Sequence, residues 1–263
     1  MFEGKYDVVD SFYFMTTPTP LILFITLYLY CVLKIGPAFM NNRKPFSLLK
    51  VIRVYNIFQV LACAWFVFKF HSHGFTFRNI WRCVDSLKKG SEIKTMNCMW
   101  WFLMLRAFEL IETVFFVLRK KQNQVSTLHL YHHISTLALL WLYFKYSSGM
   151  MELAIVVMNS SVHVVMYLYY FLSSFKRIAV IINGLKPFLT IIQLLQLVLM
   201  LGHCVVAIMP GCICGVSKLF YIQIANLSIL IYFFMKFFIE SYCNSNTNSK
   251  IISKDSDNNL KCD

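Results

Sequence analysis

Long uninterrupted apolar runs restrict the fold of this chain more than any other feature. Seven are legible: Thr17 to Leu33, Val54 to Phe70, Cys98 to Leu118, Leu128 to Tyr146, Leu153 to Phe171, Phe188 to Met209 and Leu219 to Phe238. A helix needs about 20 mostly apolar residues to cross a bilayer. Inside lipid the backbone must satisfy its own hydrogen bonds, which leaves helices and closed barrels as the spanning structures. Barrel strands alternate apolar and polar residues, whereas these runs are continuous. The reading is an all-α, polytopic membrane protein with seven transmembrane helices. Charged residues make up only 14% of the chain, against about 25% in soluble domains. That shortfall excludes a disordered chain and argues against an ordinary soluble enzyme.

The flanks divide the chain. Residues 1–16 form a short leading segment, 17–240 the membrane domain, and 241–263 a polar, Asn- and Ser-rich tail expected to be disordered. Met1 to Asp10 carries Glu3, Asp7 and Asp10 against Lys5. A secretory signal opens with positive charge, so the first span is expected to be retained. No internal repeat of 20–50 residues is found.

A net charge of +13 could point to nucleic acid. The positive-inside rule explains it without one. With the N-terminus on the non-cytoplasmic side, fifteen of the 25 Lys and Arg fall in cytoplasmic segments and nine on the other side, with Arg106 inside a span. The C-terminus is therefore expected in the cytoplasm. No soluble basic domain remains to bind nucleic acid.

Nine cysteines are present. Cys31, Cys63, Cys98 and Cys204 lie in or beside spans and read as small apolar fillers. Cys243 and Cys262 lie in the tail and are expected reduced. Cys83, Cys212 and Cys214 fall in connections on the non-cytoplasmic side. If that side is oxidising, a bridge from Cys83 to Cys212 or to Cys214 is allowed.

Polar residues within the spans carry the functional signal. Arg106, Glu109 and Glu112 in the third span would each cost about 2.5–3.5 kcal/mol at the bilayer centre. Arg106, Glu109 and Thr113 share one helical face; a structural Arg106–Glu109 ion pair is the plain explanation and leaves room for a site beside it. The fourth span opens His-Leu-Tyr-His-His, which stacks His129, His132 and His133 on one face. Packing seldom needs three histidines in five residues. Imidazoles so grouped suit metal binding or acyl transfer. Asn159, His163, Met166, Tyr167 and Tyr170 form a stripe on the fifth span, and Thr190, Gln193 and Gln196 recur on the sixth; both are also what polar seams between helices look like. Four successive spans with polar faces fit an enclosed catalytic tunnel. An ion pore would repeat one sign of charge, and here both signs occur.

These stretches are recognisable. HLYHH resembles the HxxHH box of the very-long-chain fatty acid elongases, the ELO family, and RAFELIET (Arg106 to Thr113) is similar to that family's KxxExxDT. NSSVHVVMYLYY (Asn159 to Tyr170) and TIIQLLQ (Thr190 to Gln196) resemble its NxxxHxxMYxYY and TxxQxxQ, and YNIFQV (Tyr55 to Val60) and RCVD (Arg82 to Asp85) are similar to weaker stretches. The boxes stand in family order between about Tyr55 and Met209. Arg106 stands for Lys and Glu112 for Asp. Both keep their charge, though Arg and Lys are not equivalent.

The resemblance implies an endoplasmic reticulum membrane enzyme with a lumenal N-terminus. It would condense a long-chain acyl-CoA with malonyl-CoA to 3-oxoacyl-CoA, CO2 and CoA, the first step of the elongation cycle. It implies His132 as the acylated imidazole, His163 as its partner, and His129 and His133 as orienting groups. Asn159, Tyr167 and Gln193 are candidate donors to thioester or enolate oxygen; Arg106, Lys186 and Arg119 to Lys121 suit CoA phosphates. Glu109, Glu112, Tyr170 and Gln196 complete the expected substrate-binding wall. No bound metal or cofactor is expected beyond the two CoA substrates. Expected partners are the bilayer and the ketoreductase, dehydratase and enoyl reductase of the cycle, and a homodimer is allowed. A metal-dependent membrane desaturase or hydroxylase also uses HxxHH, but it needs about eight histidines in three boxes. This chain has seven, and His71, His73 and His203 form no second box. A receptor or transporter would leave the histidines beside an Arg–Glu wall without a reason.

Overall fold

The computed structural model describes residues 7–74, 76, 81, 92–147, 150–210, 212 and 217–243. They form α1 (Thr19–Tyr30), α2 (Gly36–Met40), α3 (Leu49–Ser72), α4 (Glu92–Glu109), α5 (Ile111–Leu118), α6 (Thr127–Tyr146), α7 (Met150–Ser173), α8 (Lys176–Ile182), α9 (Lys186–Ala207) and α10 (Ser217–Phe238). These join into seven long helical segments, one for each apolar run. Five are long and apolar enough to cross a membrane: Thr19–Met40, Leu49–Ser72, Met151–Ser173, Lys176–Ala207 and Lys218–Cys243. The α4–α5 and α6 segments, expected as the third and fourth spans, fall short of that measure among the described residues. They are the two segments that carry Arg106, Glu109, Glu112 and the three clustered histidines.

Several boundaries differ from expectation. The first helix runs on to Met40 through a π-helical turn at Cys31–Ile35. Pro37 has no N–H to give to Leu33, and a π turn absorbs such a gap. The sixth segment starts at Lys176, a dozen residues ahead of the expected Phe188, as α8 and a 3₁₀ turn feed into α9. The last helix continues through a π-helical turn to Cys243, past the expected boundary at 240. The rest of the tail lies outside the described residues, as do Cys83, Cys214, Cys262 and the RCVD stretch.

Packing follows a closed circuit. Helix α3 lies along α7, α7 meets α9, α9 pairs with α10, α10 meets α6, α6 packs on α4, and α4 returns to α3. The first helix stands outside this ring, with α2 against α5. There a Cβ on Gly36 would sit 2.7 Å from Val117 Cγ1, so any larger residue at 36 would require Val117 to shift. Large apolar side chains such as Leu23, Leu27, Val54, Leu61 and Phe68 face outward and exposed. Phe70, Leu103, Trp141 and Phe144 fill the interior. An outer surface this apolar suits lipid and would be a liability in water.

The leading segment is built into the fold. Val9 and Met15 are fully buried. The Trp141 indole donates to the Phe14 carbonyl at 2.7 Å and that of Trp100 to Tyr13 at 3.2 Å. Lys145 pairs with Asp10. The segment thus packs against α4 and α6, at the end of α6 remote from its histidines. Cys31, Cys63, Cys98 and Cys204 are free thiols, as fillers should be. Cys212 is disulfide-bonded.

Candidate active site

Local chemistry sets where the histidines begin. Ser126 caps α6, its hydroxyl accepting the backbone N–H of His129 at 3.2 Å, and such a cap contributes about 1 kcal/mol. The third segment was expected as one helix but breaks at Leu110. Leu110 N–H bonds to Ala107 and Thr113 N–H to Leu110, both three residues back. In a tightened turn residues three apart eclipse, which helps Arg106, Glu109 and Glu112 project to the same side.

Two buried networks result. Arg106 is 3% exposed and Glu109 2%. Nη1 of Arg106 donates to both Glu109 oxygens, at 2.8 and 2.7 Å, and lies 2.7 Å from Nδ1 of His163. A guanidinium only donates, so Nδ1 of His163 accepts and its ring proton belongs on Nε2. Arg106 also lies 4.5 Å over the Phe102 ring. The second network centres on Glu112. It accepts from Tyr55 at 2.9 Å and Tyr167 at 2.5 Å, and its other oxygen is 3.6 Å from Nε2 of His133. Gln59 donates to the Tyr55 hydroxyl at 2.8 Å. Thr113 joins the first helix to the box, 2.5 Å from the Tyr28 hydroxyl and 2.9 Å from Nε2 of His129.

The four imidazoles are thereby brought together. The His129 and His133 rings are 4.4 Å apart, His132 and His133 5.4 Å, and His132 and His163 6.4 Å with an interplanar angle of 29°. His129, His133 and His163 each have a polar partner. The His132 ring has no hydrogen bond among the described residues, and it lines an internal cavity together with Asn159.

Other expected residues lie further out. Gln193 and Gln196 donate to the sulfurs of Met166, at 3.2 Å, and Met200, at 2.9 Å. Tyr170 packs 6.3 Å from the Tyr167 ring yet is 40% exposed. Lys186 is exposed at the start of α9, apart from the buried cluster. Tyr28, Gln59, Glu152, Gln223 and Asn226 were not singled out from the sequence. Tyr55 and Gln59 do fall in the YNIFQV stretch. Gln223 and Asn226, two amides three apart in an apolar run, were the readable signal on α10.

Two triplets bring possible metal ligands within 4.8 Å: Cys63, Glu109 and His163, and Glu112, His129 and His133. In the first, the Arg106 cation already occupies Glu109 and His163. In the second, Glu112 serves two phenols and Nε2 of His129 faces Thr113. Of these donors, Glu109, His163, Glu112 and His129 already have protein partners.

An apolar ring of helices around a buried cluster of histidines, carboxylates and phenols defines a polytopic membrane enzyme. A family model described as "ELO: GNS1/SUR4 family" matches residues 13–250. Relatives include very long chain fatty acid elongase 4 of Macaca mulatta, 33% identical over 237 residues, covering 89% of this chain and 74% of the relative. Elongase 1 of Homo sapiens is 37% identical over 197 residues, 74% of this chain and 71% of the relative. Elongase 7 of Rattus norvegicus is 32% identical over 237 residues, 89% and 84%. The chain belongs to the ELO family and is a very-long-chain fatty acid elongase, a 3-oxoacyl-CoA synthase of the condensation step.

Proposed function

We propose that condensation runs through an acyl-imidazole on His132, in a tunnel enclosed by the helical ring and open to CoA at the cytoplasmic side. One observation carries this reading. Among the four clustered imidazoles, His132 alone has neither a hydrogen bond nor an ion-pair contact among the described residues, whereas His133 lies 3.6 Å from the Glu112 carboxylate, and His132 lines the cavity. A nucleophile needs an unoccupied lone pair within reach of its substrate.

In the first half-reaction His132 attacks the thioester carbonyl of acyl-CoA. The C–S bond breaks, CoA thiolate leaves and takes up a proton, and the acyl group stays on the ring. In the second, malonyl-CoA loses CO2, and the bond's electron pair becomes the enolate of acetyl-CoA. The enolate carbon attacks the acyl carbonyl, His132 departs, and 3-oxoacyl-CoA forms. Overall, acyl-CoA, malonyl-CoA and one proton give 3-oxoacyl-CoA, CoA and CO2.

The surrounding groups have separable roles. Arg106 and Glu109 hold His163 so that its Nε2 proton is offered to the developing enolate oxygen. Asn159 is a second donor to that charge, and donors fixed in advance in a dry site are effective. Thr113 orients His129, and Glu112, with Tyr55 and Tyr167, orients His133. Lys186 and the Arg119 to Lys121 run, outside the cluster, suit CoA phosphates. The acyl chain occupies the apolar cavity. The natural setting is the endoplasmic reticulum membrane, with the N-terminus lumenal, the C-terminus cytoplasmic, and the later enzymes of the cycle nearby.

The test is purified protein given acyl-CoA alone. One equivalent of CoA should be released and peptide mapping should find the acyl group on His132. His132→Ala should form no adduct and no 3-oxoacyl-CoA; near-normal condensation by that variant would overturn the role.

A further inference from the structure

We propose that the distal end of the acyl channel is built for a chain bearing a terminal hydroxyl, so that ω-hydroxyacyl-CoA is a substrate class of this enzyme. The proposal rests on the reading of the cavity below His132 as the acyl channel.

The channel has an apolar middle and a polar end. Phe102, Leu139, Leu140, Leu197 and Leu227 line its middle, and Tyr143, Glu152, Gln223 and Asn226 also line it. Two helices give the depth independently. On α6, Tyr143 is eleven residues beyond His132, about 16 Å at 1.5 Å per residue. On α10, Phe234 stands beside His132 with ring centroids 6.4 Å apart, and Gln223 lies eleven residues earlier, again about 16 Å away. The Tyr143 hydroxyl donates to the Leu219 carbonyl at 3.2 Å, which pins the start of α10 to this part of α6. Gln223 and Asn226 are therefore deep, and their spacing places them on one face of α10.

Their hydrogen bonding is incomplete. Gln223 is 6% exposed and Asn226 7%, yet Oε1 of the first and Oδ1 of the second have no donor among the described residues. The other polar groups here are engaged: Tyr143 with Leu219, and Glu152 as acceptor for the Ser147 hydroxyl. Two desolvated carbonyl oxygens at the bottom of an apolar channel are a poor seat for a methyl terminus. A buried acceptor without a donor is unfavourable, and a ligand supplying the missing donor is selected over one that lacks it. A terminal hydroxyl can donate to either amide oxygen and accept from the amide N–H of its neighbour. No part of the reaction at His132 changes, and the product is the corresponding ω-hydroxy-3-oxoacyl-CoA.

The experiment compares paired acyl-CoAs, plain and ω-hydroxylated, across a series of chain lengths, with full-length purified enzyme and labelled malonyl-CoA. At the length that brings the hydroxyl to Gln223, the ω-hydroxy substrate should have about tenfold the kcat/KM of its plain partner. A ratio at or below one at every length overturns the proposal. Gln223→Met and Asn226→Leu, made singly and together, should lower that ratio several-fold, and a ratio unchanged in all three overturns it as well. Because the wild-type comparison stands alone, a misfolded variant does not decide the matter. Failure to elongate either partner would instead overturn the reading of the cavity as an acyl channel, and this proposal with it.

Discussion

At the residue scale, the buried Arg106–Glu109 pair is the most exposed to mutation. Removing one partner of a buried pair leaves an uncompensated charge and costs about 3–5 kcal/mol. Arg106→Met should therefore lower the Tm in detergent markedly and release His163, abolishing condensation. Arg106→Lys keeps the charge but makes fewer directed hydrogen bonds; it should recover most of the stability and part of kcat. Tyr28 gives a milder case. Its hydroxyl reaches His129 only through Thr113, which makes it a positioning residue. A hydrogen bond contributes about 0.5–1.5 kcal/mol net. Tyr28→Phe should reduce kcat by about two- to tenfold while KM for both substrates holds, a split that steady-state kinetics can read. The HxxHH box announced its own importance in the sequence. Tyr28 did not, because its partner Thr113 is 85 positions away.

At the element scale, the start of α6 and the contact of α2 with α5 are each set by one small residue. Ser126→Ala removes the cap on the turn that holds His129, and should cost about 1 kcal/mol. The expected signature is faster amide exchange over the first turn of α6 together with a lower kcat. Gly36→Ala places a methyl against Val117, and overpacking of this kind costs about 1–3 kcal/mol. A smaller residue opposite should relieve it: the double variant Gly36→Ala, Val117→Ala is expected to have a higher Tm than Gly36→Ala alone. Such coupling between neighbours is what a double-mutant cycle measures. Helix existence was legible from the apolar runs. The break at Leu110 was not, since Ala-Phe-Glu-Leu-Ile-Glu contains no Pro or Gly and reads locally as plain helix. On either side of the break, Arg106 and Glu112 meet partners on other helices that no local pattern names.

At the scale of the whole molecule, the ring of α3, α7, α9, α10, α6 and α4 leaves the first helix outside, and the leading segment packs onto α4 and α6. Trp141→Phe removes the hydrogen bond to the Phe14 carbonyl. It should make residues 8–16 more susceptible to limited proteolysis in detergent, with cleavage sites mapped by mass spectrometry. Charge asymmetry sets the expected orientation. A glycosylation acceptor added before residue 1 should be modified in microsomes, and one added after residue 263 should not.

The sequence by itself determined the class of architecture and the chemistry at its centre. Apolar run length is a local property set by bilayer thickness, and the spacing of HLYHH or of Arg106 and Glu109 on a helix follows from 3.6 residues per turn. What only the tertiary structure decided is which polar groups meet. Tyr28, Tyr55, Glu112 and Tyr167 come from four different helices, and helical periodicity says which face a residue occupies but not which helix that face will meet. The same holds for His132, whose lack of a partner is visible only once the three neighbouring imidazoles have taken theirs, and for Gln223 and Asn226, whose depth below it depends on how α10 lies against α6.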